Sequence, residues 1–104
     1  MDDQEQIISR EDVDALRNYI ASLPPEVQRR TPVLALLEKL ENDGDLLQRT
    51  GEMQREIVRS LITADDLAAL RTALRNLDGS NQPMARVLEP ALRALYDRLT
   101  KALA

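Results

Sequence analysis

Aliphatic residues recur along this chain at three- and four-residue intervals: Val13, Leu16, Ile20 and Leu23; Leu67, Leu70, Leu74 and Leu77; Leu88, Leu92, Leu95, Leu99 and Leu103. That spacing puts each set on one face of a 3.6-residue helix, so the chain has to bury several such faces against one another. Composition points the same way. The 43% apolar content is mostly Leu and Ala, with no Phe or Trp and only Tyr19 and Tyr96, so the residues that favour strands are scarce. The expected fold is all-α: a small bundle of four to five helices, one domain over residues 9–104 behind a mobile leader at 1–8.

The punctuation divides the stripes. Ser9 with Asp12, and Thr63 with Asp66, have the spacing of a capping box, and the acidic residues behind each cap suit the positive end of a helix dipole. Pro24 and Pro25 stop the first helix, with a turn of helix possible through "EVQRR". Thr31 and Pro32 open a second, whose broad face of Val33, Leu34, Leu36, Leu37 and Leu40 runs to Gly44. Asp45 with Gln48 opens a segment through Ile62 that is apolar over half its circumference. Gly51, within it, predicts either weakness or a restart. The last helix starts at Gln82 or Pro83, with Ser80 or Asn81 as its cap, and Pro90 on its outer side predicts a bend. Glu89, Arg93, Asp97 and Lys101 form a ladder of alternating charge along its solvated side.

Two echoes run through these helices. "SREDVDALR" at 9–17 returns as "TADDLAALR" at 63–71, an offset of 54, and "ALLEKL" at 35–40 returns as "ALYDRL" at 94–99, an offset of 59. Either the chain is two duplicated helical hairpins joined by residues 45–62, or capping and helical period alone have imposed the same pattern twice.

Residue types narrow the chemistry. With no His and no Cys, the usual general base, the thiol nucleophile, the zinc ligand sets and disulfides are all missing. "ENDGDL", residues 41–46, lacks the oxygen spacing of an EF-hand and reads as a helix stop. "LDGSNQP", residues 77–83, has too little glycine for a phosphate-cradling loop. Neither a catalytic residue nor a cofactor or metal site is expected, and a carboxylate-based, metal-dependent enzyme ranks last among the readings. Arg29 and Arg30 read as a solvated pair.

Charge and hydropathy bear on partners. The net charge is −4, with ten acidic and five basic side chains in residues 1–44 against five and six in residues 63–104, so nucleic acid is disfavoured. No apolar run reaches the ~20 residues of a membrane helix, and the acidic start is unlike a signal peptide. The expectation is a soluble cytoplasmic protein with no membrane contact.

The apolar helical faces exceed what one small core needs. The leading expectation is therefore a non-enzymatic regulatory or adaptor protein, a homodimer, that masks or inhibits another protein in the manner of an anti-activator or chaperone. Its seam is Leu92, Leu95, Leu99 and Leu103, with Tyr96 at the edge and Tyr19 flanking the first stripe. The alternative is a DNA-binding helix-turn-helix at residues 46–61, with Gln54, Arg55 and Arg59 reading bases. Bulky Leu47 sits where that motif needs a small residue, and Asp45, Glu52 and Glu56 offset the arginines.

Overall fold

The computed structural model describes residues 6–42 and 45–104, and among them every regular element is helical. In chain order these are α1 (Arg10–Ala21), α2 (Pro25–Gln28), α3 (Pro32–Asn42), a 3-10 turn (Leu46–Gln48), α4 (Gly51–Leu61), α5 (Ala64–Asp78) and α6 (Pro83–Leu103). The all-helical class is as expected. The number of helices exceeds the four to five expected because "EVQRR" does supply a turn, α2, started by Pro25 at its first position.

Local chemistry accounts for the ends. Ser9 N–H donates to Asp12 Oδ2 at 2.9 Å and Thr63 N–H donates to Asp66 Oδ2 at 2.9 Å, closing one capping box on α1 and another on α5. The helix after α3 begins at Gly51 and not at Asp45. Its cap is Thr50, whose Oγ1 accepts from Met53 N–H, while residues 46–48 form the tighter 3-10 turn. The expected helix stop at Gly44, with Asp43 beside it, lies outside the described residues. At the start of α6 neither Ser80 nor Asn81 caps: Gln82 holds the cap position and donates its N–H to Ser80 Oγ at 3.2 Å. α6 continues through Pro90, which lies exposed beside Arg86 and Arg93 on the solvent side.

The core is a ring of four helices. α1 packs on α3, α3 on α5, α5 on α6 and α6 back on α1, while α4 lies against α6 and the 3-10 turn. Leu16, Leu36, Leu40, Leu70, Leu92, Leu95 and Leu99 are fully enclosed at its centre. Each contributes about 1.5–3 kcal/mol by leaving water.

The mobile leader expected through residue 8 needs correction at residues 6–8; residues 1–5 lie outside the described part. Ile7 and Ile8 are core residues, and Gln54, itself fully buried, holds them there. Its Oε1 accepts from Ile7 N–H (2.7 Å) and Ile8 N–H (3.1 Å), and its Nε2 donates to Ile8 O (2.9 Å) and Leu46 O (2.8 Å). One side chain thus supplies the partners that an irregular buried segment cannot find in a helix or sheet.

Two long-range ion pairs join the helices. Asp12 takes Arg98 end-on, Nη2 to Oδ1 at 2.8 Å and Nη1 to Oδ2 at 3.1 Å, and Asp66 accepts from Lys39 Nζ at 2.6 Å. Burial works against the charged form of Asp66. The hydrogen bond from Lys39, those from the Thr63 backbone and hydroxyl, and the Lys39 charge together outweigh it and hold the carboxyl below the usual carboxylate range.

Candidate functional site

The expected seam faces inward. Leu92, Leu95 and Leu99 are 0% exposed, and their side chains fill the space between α6 and its neighbours instead of forming a surface stripe. Leu103 and Tyr96 are half-buried against the same core, at its boundary. Tyr19 is also a core residue, 3% exposed, with its hydroxyl accepting from Asn76 Nδ2 at 3.2 Å. The apolar excess read from the sequence is consumed by the ring of helices and by the cover that α4 and residues 6–8 add to it. The large apolar side chains left exposed are few: Val27, Met53, and Met84 with Val87 one turn on along α6.

The base-reading trio does not assemble either. Gln54 points into the core with its amide fully engaged, so it cannot accompany Arg55 and Arg59 to a base edge. This follows from helix geometry. Gln54 lies four residues before Val58 on the buried side of α4, whereas Arg55 and Arg59, also four apart, share the next face round.

That next face opens onto a cleft. Gln6, Ile7, Arg55, Arg59, Arg98, Lys101 and Ala102 line a cavity of about 350 Å³ between α4, the end of α6 and the segment at residues 6–8. Four of those seven residues are cationic, in a chain whose net charge is −4. Their roles differ. Arg98 is committed to structure: it grips Asp12, donates from Nη1 to Ile7 O (3.0 Å) and from Nε to Ala94 O (3.1 Å). Arg59 is anchored through Nε to Ala102 O at 2.9 Å, near the negative end of the α6 dipole. Among the described residues, no hydrogen bond or ion pair engages the side chains of Arg55 or Lys101, or the terminal nitrogens of Arg59.

Arg55, Arg59 and Lys101 therefore offer unfilled donors and positive charge at one place. Guanidinium forks suit carboxylates and phosphates, and Lys adds a mobile point charge. The sequence held a partial signal: Arg55 and Arg59 at i,i+4 put two cations on one face. Nothing in the spacing showed that Lys101, assigned to the charge ladder and 42 positions beyond Arg59, would meet them. Of that ladder, Arg93 pairs with Glu89. Among the described residues no three acidic side chains converge to hold a metal ion, and no helix is long and apolar enough to cross a membrane. No protein-family model, curated protein or solved structure matches the chain.

Proposed function

We propose that the protein is a non-enzymatic regulatory or adaptor protein of the cytoplasm that binds an acidic segment of another protein in the cleft between α4 and α6. The observation that carries this is the convergence of Arg55, Arg59 and Lys101, none of them in an ion pair among the described residues, around one concave surface of an acidic chain. Cations grouped on one concave surface attract an anionic partner and steer its approach. Arg59 is held in place before the partner arrives, so less ordering entropy is lost when it pairs. The cavity is larger than a single carboxylate needs and accommodates neighbouring acidic side chains of an extended or helical segment. Covering that segment is the masking step.

The test is fluorescence anisotropy with a labelled hexaglutamate peptide, against the full chain and its R55E/K101E variant. Binding that weakens with rising salt, as expected when the Debye length falls from about 10 Å at 0.1 M, and that vanishes in the variant, supports the reading. No binding at low salt, or equal binding by the variant, refutes it. A labelled DNA duplex of the same charge binding more tightly than the peptide would transfer the cleft to nucleic acid and overturn the proposal.

A further inference from the structure

One wall of the basic cleft is not a helix. Gln6 and Ile7 form it, and residues 6–8 lie outside any helix. Among the described residues no backbone–backbone hydrogen bond reaches this strap. Side chains hold it instead: Gln54 takes Ile7 N–H, Ile8 N–H and Ile8 O, Arg98 Nη1 donates to Ile7 O, and Gln6 Nε2 donates to Leu47 O and to Arg49 O. Ile7 and Ile8 add their burial. Releasing the strap breaks these contacts and leaves every helical hydrogen bond in place, so it is a unit that can open by itself. Its holders are interleaved with the cations of the cleft. Gln54 directly precedes Arg55 on α4, and Arg98 lies three residues before Lys101 on α6.

From this arrangement we infer that the strap regulates the cleft: an anionic occupant among Arg55, Arg59 and Lys101 and the docked strap stabilise each other. The inference rests on the anionic partner proposed above. With the strap docked, the occupant meets the cations against a wall of protein and touches Gln6 and Ile7 as well. When the strap leaves, water replaces that wall, the local dielectric rises, and each charge–charge attraction weakens. Arg98 does not offset the loss, because it keeps both of its bonds to Asp12 when Ile7 O departs. The occupant therefore binds the docked state better, which is the condition for coupling, and the coupling acts equally in both directions. Whatever releases the strap lowers the apparent affinity in proportion to the fraction still docked.

Two arms on the full chain test this with the hexaglutamate peptide as probe. In the first, Q54L and I8A loosen the strap from opposite sides. Neither Gln54 nor Ile8 lines the cleft and neither carries charge, so a change in affinity has to come through the strap. Both variants should bind the peptide at least about threefold more weakly than wild type. The second arm is hydrogen exchange of the wild-type protein, which needs no variant to fold. Without peptide, the amides of Ile7 and Ile8 should exchange faster than those at the centre of α5, the mark of a strap that opens separately. At free peptide ten times its Kd they should slow by about elevenfold, the factor 1 + [L]/Kd. The amide of Arg30, which donates to Val27 O in the turn after α2, should not change. Wild type that binds while Q54L and I8A bind equally well, or whose Ile7 and Ile8 amides ignore the peptide, overturns this inference alone. Exchange of Ile7 and Ile8 at the rate of the α5 centre overturns it too, since the strap would then have no opening of its own. Wild type that does not bind the peptide overturns it together with the reading of the cleft.

Discussion

Replacing Gln54 by Leu isolates what one buried amide does for this fold. The substitution keeps the side chain's approximate volume at a fully enclosed position, so no large cavity opens, while all four hydrogen bonds disappear. Their partners do not fare equally. Leu46 O retains the N–H of Arg49 at 3.2 Å, but Ile7 N–H, Ile8 N–H and Ile8 O have no other partner among the described residues. Three backbone groups are therefore orphaned. At about 1–3 kcal/mol each, reduced where residues 6–8 swing out to reach water, the loss is about 3–5 kcal/mol. That is a large fraction of the roughly 5–15 kcal/mol by which a typical domain is stable. Equilibrium urea unfolding measures the loss, and hydrogen exchange locates it: the amides of Ile7 and Ile8 should lose protection first, while those at the centre of α5 follow the global change. A Q54L protein within about 1 kcal/mol of wild type would show that residues 6–8 are not held by this side chain.

Three further outcomes follow from the packing and the charges. L95A should destabilise the protein by about 2–5 kcal/mol in the same urea assay, the cost of a truncated core leucine, whereas V87S on the same helix should stay within about 0.5 kcal/mol because Val87 is 72% exposed; equal effects would mean that α6 presents a different face. The lowered pKa of Asp66 means that the folded state favours its charged form more than the unfolded state does, so its contribution is complete above the unfolded pKa and is lost as pH falls through the folded one. D66N should therefore lower stability at pH 7 and flatten the decline in stability below about pH 4, where an unchanged acid limb would refute the assignment. R98A should cost more than K39A, by about 1 kcal/mol or more, because Arg98 also satisfies Ile7 O and binds Asp12 through two bonds where Lys39 makes one.

Much of the architecture is legible in the residues because capping and helical period are local. Ser9 with Asp12 and Thr63 with Asp66 mark helix starts by a rule that involves four residues, and both starts are where that rule puts them. Asp45 and Gln48 satisfy the same spacing, yet the helix waits for Thr50, since Gly51 is tolerated at a helix start and costly within. What a face packs against is not local. Leu92, Leu95 and Leu99 form the stripe that the spacing predicts, but whether a stripe meets another chain or its own depends on how many neighbours close around it. Gln54 shows the opposite failure: a polar residue followed by Arg55 and Glu56 reads as exposed until the backbone of residues 6–8, which needs it, is in view. The cleft was hidden for the same reason, as Lys101 joins Arg55 and Arg59 only after α4 has packed on α6.

α6 touches α1, α4 and α5, and through Arg98 it reaches back to Ile7, 91 residues earlier. Every one of those elements precedes it in the chain. During synthesis the apolar sides of α1, α4 and α5 emerge without their main cover, and the anchor for Ile7 O is made only when residue 98 appears. The protein is a helical ring whose closing piece is delivered after all the others, so its folding should be slower than that of bundles built from neighbouring hairpins alone, with a greasy, partly assembled intermediate that a ribosome-bound chaperone would find easy to hold.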